Sequence, residues 1–233
     1  MSHDIPAVIS AMVQMAGRSP AEGRQRPQRP VITVSRDYGS GGDEIAAMLG
    51  RKLDVPVYDD TVLREVAVRM KDHPAIVRML DEEFGRAKDM WLYRLLSGKD
   101  VGPDVYRDTL VKVILSLGRM GGVIVGRGAH VVLAESCALR LRVAGTPAIC
   151  ARRLAAHGDG DEKAALAKVE DVNHHRGHFV WEMFRSRLSD ACQFDITVNT
   201  DRMADFTEIV EALAAMAVAT HSGRVLTVTF GNA

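Results

Sequence analysis

A chain of 233 residues in which 30 basic residues balance 30 acidic ones has no net field to draw in nucleic acid or a membrane surface. A polyanionic small molecule must therefore be met by local arginines. The 3 cysteines, Cys137, Cys150 and Cys192, are widely spaced and make no CxxC pair, which argues against a disulfide framework or a zinc knuckle and fits a reducing cytoplasm.

Asp4 stands where a signal peptide would be basic. No apolar run approaches the ~20 residues that a membrane span needs, so a soluble protein is expected. The length suits one α/β domain with an insertion. Ile5, Val8, Ile9, Met12 and Val13 have the spacing of a short amphipathic helix, and the Pro-, Gly- and Arg-rich stretch after it reads as a linker. Residues 1–29 thus stand apart from a domain at 30–233. Arg18, Arg24, Arg26 and Arg29 are expected to be solvated rather than to form an arm for nucleic acid. The helix before them should pack on the domain or on a second subunit, which allows a homodimer.

The organising stretch is VITVSRDYGSGGDEIAAMLGRKL, residues 31–53. Val31, Ile32 and Val34 predict a buried strand, and Ile45, Met48, Leu49 and Leu53 recur at helical spacing after it. Between them Gly39, Gly41 and Gly42 permit positive φ, so that successive N–H groups can converge on one anion. The first turn of the helix adds unpaired N–H groups and the positive end of its dipole. Against the usual phosphate-binding loop, Gly42 falls where a lysine is expected and Asp43-Glu44 where Ser or Thr would hold magnesium. A phosphate cradle without its cation is also what a tight structural turn looks like, and the rest of the chain must decide.

Residues 54–60 predict a short second strand ending in acids, which puts Asp59 at the carboxyl edge of a sheet, with Asp60 or Thr61 capping a helix from Thr61 to about Met70. Residues 74–120 show helical spacing only and read as an insertion, with a loop at 97–104; Trp91 and Tyr93 within it are expected in its core rather than against a base. Val123, Ile124 and Val125 predict a buried parallel strand that ends in Gly126-Arg127-Gly128. An arginine between two glycines at a strand's end is hard to explain by packing and suits a bidentate grip on phosphate. Leu139, Leu141 and Val143 alternate as a fourth strand, and Thr146-Pro147 opens the next helix. Asp161 to about Phe184 reads as a long helix, in which His174 and His178 stand one turn apart without a third metal ligand, and Arg176, with Arg185 and Arg187 beyond it, suggests a cationic cover. Phe194 to Asn199 is a fifth strand, Ala204 to Ala219 a helix with Phe206, Ile209, Val210 and Leu213 inward, and Val225 to Phe230 alternates as a sixth strand.

This order resembles the P-loop nucleoside monophosphate kinases, and within them the cytidylate kinase-like family. The likeness rests on Ser35-Arg36-Asp37-Tyr38-Gly39-Ser40-Gly41-Gly42, on Pro56-Val57-Tyr58-Asp59, on Ile124 to Ala129 and on Phe194-Asp195 with Asn199-Thr200, spread over residues 31–220. The resemblance implies a three-layer P-loop fold, a five-stranded parallel sheet with helices on both faces, a nucleotide-binding insertion at 74–120 and a lid at 160–190. It further implies that Gly39, Ser40, Gly41, Gly42 and Asp43 hold the phosphates of ATP, that Asp59 and Arg127 face the acceptor, and that Arg176 belongs to the lid. In such a site all the cations are arginines, so Arg36 and Arg176 are expected to replace the lysine, with Asp43 or Glu44 reaching magnesium. The expected activity is transfer of a phosphoryl group from ATP to a monophosphate such as CMP. The rival is a nucleotide sensor or partner-binding protein of the same fold that no longer transfers; a dinucleotide-binding enzyme is weaker, since no GxGxxG follows Val34.

Overall fold

β-branched runs set the middle of the sheet. Strands β1 (Val31–Arg36) and β3 (Gly122–Val125) are buried along almost their whole length, as parallel strands covered on both faces must be. The computed structural model describes residues 29–63, 104–134, 138–158 and 161–223, with Val8, Ser10, Pro27 and Ser136. Beside the central pair it places β2 (Val57–Tyr58), β4 (Leu139–Ala144) and β5 (Ile196–Asn199), giving the order β2-β3-β1-β4-β5 with every pairing parallel. Burial alternates strictly along β4, matching its leucine–arginine alternation.

Helices close both faces. On one lie α1 (Gly42–Lys52) and α6 (Thr207–His221), which pack Ile45, Leu49, Val210 and Leu213 against Ile32, Val34 and Val123. On the other, α2 (Asp104–Met120) and the short α3 (Ala129–Val132) pack Leu110, Ile114, Leu117 and Val132 with Val31, Ile124 and Phe184. Each such buried side chain contributes about 1.5–3 kcal/mol relative to exposure. A hairpin of α4 (Pro147–Ala156) and α5 (Glu162–Phe184) has its own small core of Cys150, Ala151, Ala165 and Val169, into which Tyr38 also packs.

The local chemistry matches the expected ends. Asp43 and Glu44 sit in the first turn of α1 and Arg51 and Lys52 in its last, both favourable to the helix dipole. Pro147 opens α4 after an extended Thr146, and the Asp161 carboxylate accepts from the Ala164 amide, 2.7 Å, to start α5. Three boundaries move from their expected places because a carboxylate takes a backbone amide. The second strand stops at Tyr58 because Asp59, rather than Asp60 or Thr61, is the cap, accepting from the Val62 amide at 3.0 Å. Asp195 turns outward to hold the Arg140 amide at 2.8 Å, so β5 begins at Ile196, and Asp205 accepts from the Thr207 amide at 2.9 Å, so α6 begins later than Ala204.

The N-terminal amphipathic stretch beyond Val8 and Ser10, the helix beyond Leu63, most of the insertion with Trp91 and Tyr93, and the sixth strand at 225–230 lie outside the described residues. Among the described residues no helix is long and apolar enough to cross a membrane.

His130 of α3 is a buried titratable group through which pH acts on stability. It is 1% exposed, its Nδ1 is 3.1 Å from the Ser35 hydroxyl, and it stacks on Phe194 with ring centroids 4.7 Å apart. Burial, with the charges of Arg140 and Arg142, pulls its pKa down to about 4, so it is neutral in the folded protein. The unfolded chain binds this proton first, near the ordinary histidine value of about 6.5. Stability is therefore complete above that value and is lost as pH falls from about 6.5 toward 4, by up to ~3 kcal/mol. Urea unfolding at pH 7.5 and pH 5 should show this loss in the wild type and a distinctly smaller one in His130→Asn.

Candidate functional site

The chain leaves β1 for α1 on one face and leaves β3 for α3 on the other. Adjacent strands whose connections part in this way open a crevice at their carboxyl ends. The register sets Val34 beside Val125, and the Gly126 amide donates to the Val34 carbonyl at 2.9 Å, so Ser35, Arg36 and the GRG segment meet at that crevice. A cavity of about 690 Å³ lies there, lined by Ser35, Arg36, Asp60, Arg127 and Arg176 and by an apolar wall from α5 that includes Val172, Phe179 and Met183.

Beside it the glycine turn is formed as the sequence predicts. Gly39 and Gly41 have φ of 79° and 82°. A Cβ at Gly39 would meet the Cys150 carbonyl oxygen at 2.8 Å and one at Gly41 the Phe206 ring at 2.2 Å, so the turn is closed from behind by α4 and by the start of α6. No side chain caps α1 among the described residues, so its opening amides are without a side-chain partner. Ser40 serves this turn differently from the expectation. Its hydroxyl is buried and donates to the Asp37 carbonyl at 2.8 Å, while Thr200 donates to the Ser40 carbonyl at 2.8 Å, so the side chain braces the turn. Asp37 adds a second brace, accepting from Arg142 at 2.5 Å and from the Gly145 amide at 3.3 Å.

The missing lysine has a steric explanation. A Cβ at Gly42 would lie 2.4 Å from Arg36 Cβ and 2.9 Å from its Cγ. The stem of Arg36 occupies the space a side chain at 42 would need, so a cation from the end of β1 stands in place of one from α1. Its Nε and Nη2 reach Asp43 Oδ1 at 2.9 and 2.8 Å. Asp43, expected at the phosphates and at magnesium, is thus seated on the very arginine that should grip phosphate. Glu44 is exposed one residue further on.

Arg176 arrives from α5, donating through Nη1 to the Arg36 carbonyl at 3.2 Å. Burial, followed by the nearby Arg36 charge, lowers its pKa to about 10, which still leaves it charged at neutral pH. Arg127 holds φ of 52° between Gly126 and Gly128, at 78° and 73°, a left-handed run that costs about 1–3 kcal/mol at a non-glycine residue and is characteristic of functional positions. Its Nε donates to Asp60, and its guanidinium lies 4.7 Å from the centroid of Phe179. The acid at Arg127 is therefore Asp60. Asp59, expected to face the acceptor, spends its carboxylate as a helix cap. Arg185 and Arg187 stack on Trp181 at 5.7 and 5.2 Å and do not line the cavity. His174 and His178 have ring centroids 6.3 Å apart, and among the described residues no group of three potential ligands could hold a resident metal.

Sequence reasoning missed Asp60 at Arg127, Tyr38 and the bracing pair Asp37–Arg142. For the last, the arginines alternating with leucines on a buried strand were the available signal.

A model of the cytidylate kinase-like family matches residues 31–202. No curated protein matches the chain significantly. Among solved structures, an uncharacterized protein from Eubacterium ventriosum is similar with a TM-score of 0.61 and 20% identity, over 84% of this chain and 100% of that one. More distant are shikimate kinase from Bacteroides thetaiotaomicron, at TM-score 0.42 and 14% identity over 80% of this chain and 95% of that one, and shikimate kinase from Acinetobacter baumannii in complex with shikimate, at 0.41 and 14% over 85% and 96%. The first likeness bears on the fold alone.

The Arg36–Asp43 pair predicts a gain. With its carboxylate gone, Asp43→Asn frees the guanidinium beside the turn, and tripolyphosphate without magnesium should bind several-fold to about tenfold tighter by calorimetry, a modest factor because the acid is largely exposed.

Proposed function

Because the chain belongs to the cytidylate kinase-like family, we propose that it is a cytoplasmic enzyme that transfers the γ-phosphate of ATP to a nucleoside monophosphate such as CMP. The observation that carries this is the convergence of Arg36, Arg127 and Arg176, from three separate segments, on one cavity beside an uncapped glycine turn. The opening amides of α1 at Gly41, Gly42 and Asp43 take the donor's phosphates, and the 690 Å³ cavity takes the acceptor, its phosphate on Arg127 and its base against the apolar wall of α5. The α4–α5 hairpin acts as the lid.

In the transfer the acceptor's phosphate oxygen attacks the γ-phosphorus as the bond to the β–γ bridging oxygen breaks. The protein's task is alignment and the spreading of positive charge around the moving group. Arg36 exchanges the Asp43 carboxylate for phosphate oxygens, and Arg176 approaches from the lid side. That exchange leaves Asp43, with Glu44 beside it, free to hold magnesium directly or through water. Magnesium fits these residues, since both carboxylates are exposed at the start of α1 and the ion needs only one or two when phosphates complete its shell; bound there, it would supply charge neutralisation for the transfer.

A second reading is a nucleotide sensor of the same fold without transfer, and the Arg36–Asp43 pair favours it, since the catalytic cation is already neutralised. The two separate on one assay. With ATP and CMP, ADP formation should be measurable in the wild type and fall about 10³-fold in kcat in both Arg36→Ala and Arg176→Ala. Wild-type rates in both variants would refute the assignment, and ATP binding without turnover on any monophosphate would favour the sensor.

A further inference from the structure

The helix that carries Arg176 is fastened to the glycine turn at a second point. Asn173 Oδ1 accepts from the backbone N–H of Tyr38 at 2.8 Å. Asn173 and Arg176 are three residues apart on α5 and so share a face of the helix. Together they bracket residues 36–38, one taking the amide of Tyr38 and the other donating to the carbonyl of Arg36. The Tyr38 ring fills the space between, 5.7 Å from the Arg176 guanidinium and 5.3 Å from Lys168 Nζ, and packs into the core of the α4–α5 hairpin.

This geometry has a consequence for a charged, partly buried group. Arg176 sits close to the like charge of Arg36, which the carboxylates of Asp43 and Asp37 nearby offset only in part. A single hydrogen bond to a carbonyl holds a long, flexible side chain poorly. The short Asn173 side chain, with few rotamers, fixes the helix itself, and so sets where Arg176 starts from. We propose that Asn173 is a positioning residue that, through the Tyr38 amide, locks the lid helix to the phosphate turn in the register that brings Arg176 over the transferring group. The proposal rests on the kinase reading for its effect on catalysis, and on the hydrogen bond alone for the lock.

Asn173→Ala removes the acceptor; Asn173→Asp keeps an acceptor oxygen. The first readout is hydrogen exchange at the Tyr38 amide, which needs no turnover. Exchange should quicken about tenfold or more in Asn173→Ala and return toward wild type in Asn173→Asp. The second is a double-mutant cycle with Arg176→Ala on tripolyphosphate affinity and, where turnover exists, on kcat. Asn173→Ala should lower kcat about tenfold with the CMP KM changed less than about twofold, and should add nothing once Arg176 is gone. Thermal melting of each variant establishes that it is folded, and Asn173→Leu, of similar size but without an acceptor, carries the test if the alanine variant is not. Unchanged Tyr38 exchange in Asn173→Ala, no recovery of protection in Asn173→Asp, or penalties that multiply across the cycle would overturn the lock. If the wild type transfers phosphate to no monophosphate, the kinase reading fails, while exchange and the affinity cycle still decide the role of Asn173.

Discussion

One steric exclusion organises the site: residue 42 and the stem of Arg36 cannot both have a Cβ-sized neighbour in the space they share. A glycine at 42 lets β1 end in an arginine that crosses the first turn of α1, and a side chain there would push it out. The cation at the glycine turn is accordingly supplied by the strand before the turn, not by the helix after it. The same choice brings a guanidinium, with its planar set of donors, to a place where a lysine would offer a point charge.

That choice has an electrostatic cost, which the fold meets with paired acids. Arg36, Arg127 and Arg142 each face a carboxylate, Asp43, Asp60 and Asp37 respectively. Two of these pairs lie at the cavity; the third lies behind the turn and holds it. Truncating one partner of a partly buried pair leaves the other's charge uncompensated, which is the larger part of what such a substitution measures. The cationic character of the site is thus conditional on what replaces Asp43 and Asp60.

Rigidity is distributed in the same spirit. Behind the turn, Ser40, Thr200 and Asp37 use hydroxyls and a carboxylate to hold its backbone, and the α4–α5 hairpin reaches it through Tyr38. In front, Arg127 sits in a left-handed conformation that its two glycine neighbours permit and its contacts with Asp60 and Phe179 maintain. Such backbone strain persists only where surrounding contacts determine it, and here they come from both sides of the cavity.

The sequence by itself determined the elements, because their signals are local: apolar runs for β1 and β3, strict alternation for β4, glycines where φ must be positive, Pro147 and Asp161 where helices begin. It also marked Arg127 as an arginine hard to explain by packing, and its resemblance to a known family pointed to Arg36 and Arg176. Only the tertiary structure decided which partners they meet. Asp59 and Asp60 are adjacent and chemically alike, and the one that caps and the one that pairs differ by where a helical turn starts. The hydroxyl that holds the Ser40 carbonyl comes from Thr200, 160 residues away. Pairings of that kind depend on how strands far apart in the chain are registered, and no spacing within a segment encodes them.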